Sequence, residues 1–178
     1  MTAAAVEPRA TRPSPDEYAP YYGTYIRKVV DGDIVRTLKT QIAETVAYLR
    51  GIPESRERHR YAPDKWSVRE VVGHLSDAER VFAYRALRFA RGDTTALPGF
   101  DENEFVKGAR LDDRTLPSIV AEFVAVRSAT VALFDGLFPE EWARLGTASG
   151  KQMSVRGLAW VIAGHELHHL EVLKTRYV

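Results

Sequence analysis

Two histidines, His165 and His169, stand four residues apart in the stretch AGHELHHLEVLKTRY at 163–177. In a helix that spacing puts both rings on one face, with about 6 Å of rise between them. The face is otherwise apolar, carrying Leu158, Ile162 and Val172. A third histidine, His74, lies on an apolar stripe of an earlier segment with Val71, Ala78 and Val81. Imidazoles buried this close together are costly unless something satisfies their nitrogens. A metal ion does so, taking a lone pair from each neutral ring. Three such ligands leave coordination positions open for water or substrate, the pattern of catalytic rather than structural sites. His74, His165 and His169 are therefore the expected ligands of a divalent metal, and neutral nitrogen donors without thiolate suit zinc or nickel. Such an ion, a Lewis acid, would activate a bound water or thiol.

The string His165-Glu166-Leu167-His168-His169 also satisfies H-E-x-x-H, which makes Glu166 the candidate general base. The protease reading of that motif is set aside. Only nine residues follow His169, Glu171 is the one carboxylate among them, and no run alternates long enough to supply a substrate-binding strand. Glu166 stays a candidate for orienting a ligand or accepting a proton. His168 points about 100° away from His169 and is expected at the edge of the site, while His59, in ESRERHR, reads as solvated. Asp77, Glu79, Arg80 and Tyr84 follow His74, and Asp101 to Glu104 sit in a long connection. The row Arg85, Arg88 and Arg91 could hold an anion, but more often such a row is a salt-bridged surface.

Four segments have the periodicity to carry these residues. The first starts at Asp33, presents Ile34, Leu38, Ile42 and Leu49 on one side, and ends at Gly51 and Pro53. The second opens with the capping box Ser67–Glu70 and the staple pair Trp66 and Val71, and runs to Arg91. The third spans Pro117 to Leu137. The fourth starts at Ser154 and runs nearly to the C-terminus. This pattern predicts an all-α, up-down four-helix bundle over 18–178, preceded by a flexible, proline-interrupted arm over 1–17. Tyr18, Tyr21, Tyr22 and Tyr25 are expected to pack onto the domain. The connection from Gly92 to Arg114 is longer than a bundle needs and is expected to cover the site or wrap the surface. Residues 65–74 and 152–165 share an S-V-R start and a Gly-His pair, too little similarity to carry weight.

The formal charge of +1 argues against a partner neutralised through its phosphates, so no nucleic acid is expected. There is no cysteine, which rules out disulfides and thiolate ligands. No secretory h-region and no stretch approaching about 20 apolar residues is evident, so the expectation is a cytoplasmic protein without membrane attachment.

The blocks WSVREVVGHLSDAERVFAYRALRFARGD at 66–93, PGFDENEF at 98–105 and AGHELHHLEVLKTRY at 163–177 carry a family resemblance. Together with the aromatic opening YAPYYGTYI, they make the chain similar to the DinB/YfiT-like superfamily of bacterial four-helix metalloproteins over residues 18–178. The resemblance implies a divalent metal on His74, His165 and His169, and a homodimer. It also implies a small-molecule substrate, with some relatives using a low-molecular-weight thiol as cosubstrate for transfer or isomerisation. Three functions follow as expectations: a metal-dependent thiol S-transferase, a hydrolase using metal-activated water with Glu166 as base, and a non-catalytic dimeric stress protein.

Overall fold

The computed structural model describes residues 7–177. Its helices are α1 (Gly23–Ile26), α2 (Ile34–Arg50), α3 (Val68–Ala90), α4 (Glu102–Ala109), α5 (Leu116–Asp135) and α6 (Val155–Arg176). The four long ones are those expected, and their caps explain where they begin. Asp33 accepts from the backbone N–H of Val35 at 2.9 Å and of Arg36 at 3.2 Å. Ser67 and Glu70 close the full capping box: Ser67 Oγ accepts from Glu70 N at 3.2 Å, and the Glu70 carboxylate accepts from Ser67 N at 2.7 Å. Ser154 Oγ accepts from Gly157 N at 2.8 Å. Each cap satisfies backbone donors that the first turn leaves free, worth about 1 kcal/mol apiece.

The long helices form the expected four-helix bundle, but their order around it is not one the sequence carries. Both α2 and α3 pack against α5 and α6, whereas α2 and α3 face each other across a diagonal, as do α5 and α6. The neighbouring pair α3 and α6 is the one that bears the three histidines. On both helices the histidines fall where one apolar cluster gives way to another. Ala78, Phe82 and Ile162 belong to the cluster around Phe89 and Trp160. Val71, Val72 and Leu173 belong to the cluster around Leu111 and Ile119.

The long connection after α3 is ordered by α4, with Asp101 as its N-cap at 2.9 Å from Asn103 N. A two-stranded antiparallel hairpin, β1 (Leu145–Ala148) with β2 (Lys151–Ser154), corrects the expectation of no strands. Each strand is only four residues long, too short to show a period in sequence. Ser149 and Gly150 make its turn with positive φ angles of 53° and 70°, a pairing that matches the twist of the strands. Leu97 extends the edge, its N–H donating to Thr147 O at 2.9 Å and its carbonyl accepting from Ser149 N at 3.0 Å.

The expected flexible arm over 1–17 is corrected for Glu7–Glu17, since residues 1–6 lie outside the described ones. Arg12 donates to the carbonyls of Ile26 at 2.7 Å and Val29 at 2.6 Å, and its guanidinium lies 4.7 Å from the Trp160 ring. Glu17 accepts from Ser154 Oγ at 2.7 Å and pairs with Arg156. Proline interrupts regular structure here, but side-chain bonds to the end of α1, to the turn after it and to the α6 cap replace it. His59 is half-buried rather than solvated, its ring 6.1 Å from that of Tyr177. Helix α5 has the length and apolar composition of a membrane span, contrary to the sequence reading. It nevertheless packs within the bundle and carries Arg127, buried mid-helix and ion-paired.

Candidate metal centre

His74 comes from α3, and His165 and His169 from α6. His74 Nε2 lies 3.1 Å from His165 Nε2, and His169 Nε2 lies 3.1 Å from the same atom. The three potential ligand atoms are all within 4.8 Å of one another. His74 and His165 are buried and His169 is half-buried. Trp66 supports the cluster from the α3 side, its ring 4.6 Å from His74 and stacked 6.4 Å from His169.

The donor set fits a metal on two grounds. Metal–nitrogen bonds of about 2.0–2.1 Å give edges of about 3.3 Å between ligand atoms at a tetrahedral angle and about 2.9 Å at a right angle. Both 3.1 Å edges fall between these limits. The second ground is a proton count. A neutral imidazole nitrogen offers either one N–H or one in-plane lone pair. His165 Nε2 therefore cannot bond to both neighbours at once, and a cation shared by three lone pairs removes the conflict. Burial disfavours the charged rings, pushing His74 down to about 4 and His165 and His169 well below the ordinary value for histidine, with the neighbouring histidines adding to the effect on the latter two. All three are neutral and ready to coordinate at neutral pH.

Two cavities flank the cluster. One, of about 280 Å³, is lined by His169, His168, Trp66 and Tyr61. The other, of about 210 Å³, is lined by His74 and His165 together with Tyr22, Tyr25, Phe82, Arg85 and Glu102. The tyrosines arrive through one glycine. A Cβ at Gly164 would stand 2.2 Å from the Tyr25 carbonyl oxygen, so only glycine lets α1 press this closely on α6. That approach sets the Tyr25 ring edge-on to His165 at 5.3 Å and to His168 at 5.5 Å. Its hydroxyl shares a 2.9 Å hydrogen bond with that of Tyr21, and burial pushes Tyr25 upward so that it stays protonated. Burial raises Tyr22 too, partly offset by the nearby Arg85 guanidinium.

Glu166 is placed elsewhere, which corrects its candidacy as the general base. One step along the helix from His165, it turns into the bundle interior. There its carboxylate accepts from Thr45 Oγ1 at 2.6 Å and from Gln41, and pairs with Arg127 at 2.7 Å. Arg127 also makes a two-pronged pair with Glu79 at 2.8 Å per contact. These groups are almost wholly buried, so each charge depends on its partners. His168 sits beside His169, ring centroids 5.0 Å apart, outside the ligand cluster. Asp77 pairs with Arg80 at 3.4 Å. Arg88 pairs with Asp93, and Arg91 with Glu141 at 2.8 Å. Of the long connection's polar residues, Glu102 lines the cavity of His74 and His165, and Asn103 lines the one on the His169 side.

The model of the DinB superfamily matches residues 37–173, a span that includes all three histidines. The chain belongs to the DinB superfamily. No curated protein sequence matches it. A solved structure with a similar fold is YfiT from Bacillus subtilis, described as a probable metal-dependent hydrolase with an unusual four-helix bundle topology. The two share 16% sequence identity, the match covers 92% of each chain, and the TM-score is 0.63. At that identity the likeness shows the fold alone. The metal-ligand reading rests on the imidazole geometry itself.

Sequence reasoning found the three histidines and named Arg85 and Glu102 among the candidates, but it did not assign Trp66 or Tyr25 to the site. Trp66 reads as a staple and Tyr25 as packing. The one available signal is the Gly-His pair at 164–165, whose glycine is the close-approach point.

Proposed function

We propose that this protein is a metal-dependent enzyme acting on a small molecule, with His74, His165 and His169 holding a divalent ion. The observation that carries the reading is the convergence of three neutral imidazole nitrogens that no hydrogen-bond arrangement can satisfy among themselves. When bound, the ion supplies Lewis acidity, favouring the anionic form of a water or thiol and polarising an electrophile. The chain's own residues fix the rest. Trp66 holds His74 and His169 in place, and Tyr25 closes the approach to His165 with a neutral hydroxyl able to donate a hydrogen bond. The flanking cavities, one on the His169 side and one on the His74 and His165 side, support a two-substrate reaction in which an external thiol and an electrophile enter separately.

Hydrolysis is the second reading. It is favoured by one observation: Glu102, not Glu166, is the carboxylate that lines the cavity with His74 and His165. A zinc or nickel ion and a homodimer belong to the proposal as well. Elemental analysis of untagged protein, before and after His169→Ala, tests the metal: about one ion per chain lost on substitution is expected. Metal-free wild-type protein as stable as loaded protein would remove the basis of the reading. Turnover of an electrophile panel with low-molecular-weight thiols, with and without chelator, separates transfer from hydrolysis. The hydrolase reading expects thiol-independent activity that Glu102→Gln abolishes.

A further inference from the structure

Among the described residues, buried Arg and Glu side chains come with counterions, with one exception. Arg69 pairs with Glu57 at 2.6 Å, Arg127 with Glu79 at 2.8 Å and Glu166 at 2.7 Å, and Glu141 with Arg91 at 2.8 Å. Arg85 is 3% exposed and has no carboxylate within ion-pair distance among the described residues. One nitrogen, Nη2, donates to Pro98 O and to Ser149 Oγ, each at 3.0 Å. Both acceptors are neutral. The guanidinium lies near two aromatic rings, 6.0 Å from Phe82 and 5.8 Å from Phe100, contacts that do not cancel its charge. Removing a cation from water costs several kcal/mol unless an anion repays it. Here the unpaired cation lines a cavity that His74 and His165 line as well.

We propose that Arg85 is the anion-binding residue of this site, holding a carboxylate or phosphate oxyanion of the substrate while the reacting end lies against the three histidines. The proposal extends the metal-enzyme reading by naming a substrate class. The planar fork of arginine, whose Nη2 donates to Pro98 O and Ser149 Oγ and which lies beside the neutral Tyr22 hydroxyl, matches the two oxygens of such a group. At about 210 Å³ the cavity is smaller than the roughly 300 Å³ at which pockets for drug-sized ligands begin. The ligand is therefore a small anion with an apolar body that contacts Phe82, Phe100 and the tyrosines. Glu102 is the acidic group on the same cavity and is exposed at its rim, where it is screened by water and makes no ion pair with Arg85.

The test uses full-length protein in metal-loaded and metal-free forms, titrated with acetate and with inorganic phosphate by calorimetry and thermal shift. Wild-type protein is expected to bind at least one of the two ions in both forms, and which one reports carboxylate or phosphate preference. Arg85→Gln keeps a donor for Pro98 O and is expected to weaken binding about tenfold or more, the scale of a lost charge-assisted hydrogen bond. Arg85→Lys keeps the charge and should recover part of it. Binding by wild type that Arg85→Gln leaves unchanged, or that vanishes with the metal, overturns the proposal. So does failure of metal-free wild type to bind either ion, whatever the folding of the variants. Failure of the metal reading looks different: no ion is retained, yet anion binding still depends on Arg85.

Discussion

Replacing Gly164 by alanine tests the packing that builds the site. In a helix interior, glycine to alanine ordinarily stabilises by about 1 kcal/mol, because alanine loses less backbone entropy on folding. At Gly164 the new Cβ would stand 2.2 Å from Tyr25 O and 2.4 Å from Tyr25 C. Carbon and oxygen do not approach that closely, so α1 must retreat by about 1 Å. Overpacking of this kind costs about 1–3 kcal/mol. Set against the helix gain, the net expectation is a loss of up to about 2 kcal/mol, and at minimum the absence of any gain. Gly108→Ala is the control: it lies in α4 with nothing within 4 Å of the new Cβ, and should be neutral or stabilising. Urea unfolding of both variants measures the difference. Stabilisation of Gly164→Ala by about 1 kcal/mol would refute the reasoning, since that is the value for an unobstructed helix position.

Three further outcomes follow from the site. Glu166→Gln removes one carboxylate from Arg127 and is expected to cost about 1–3 kcal/mol in denaturant unfolding while leaving bound metal unchanged; loss of turnover with stability intact would restore Glu166 as a base. In metal-free protein, burial holds His74 at about 4, against an ordinary value of 6.5. Between those values the unfolded chain binds a proton that the folded chain refuses. Stability is therefore full above about 6.5 and falls as pH drops toward 4, by about 3 kcal/mol for this residue, measurable as thermal midpoint against pH. Saturating metal should raise the unfolding midpoint with a dependence on ion concentration, and His74→Ala should erase that dependence.

The parts legible in the sequence were those with local grammar. Asp33, Ser67 and Ser154 announce helix starts because capping is a contact over three residues, and His165 and His169 announce a ligand pair because helical periodicity fixes their face. His74 could be joined to them only by its place on a similar stripe. What remained hidden was the long-range geometry. Nothing near Glu166 in the chain says that Arg127 and Thr45 will claim it. Likewise nothing near Arg12 names the Ile26 and Val29 carbonyls. The hairpin was missed because its strands are four residues each, although the Ser149–Gly150 turn was a readable cue. The order of helices around the bundle follows from which faces meet, and periodicity within one helix does not encode its neighbour.

The neighbouring placement of α3 and α6 also has a kinetic meaning. His74 and His165 are separated by 91 positions along the chain. Closing a loop of that length is slow compared with forming either helix, and no partial structure lacking the α3–α6 contact can assemble all three donors. A metal-sensitive dye competing with refolding protein would therefore report the arrival of the two halves at one another, an event later than the appearance of helical signal. The full three-donor cluster is a marker of the α3–α6 contact, incomplete in any intermediate where the early and late helices have formed but not yet met.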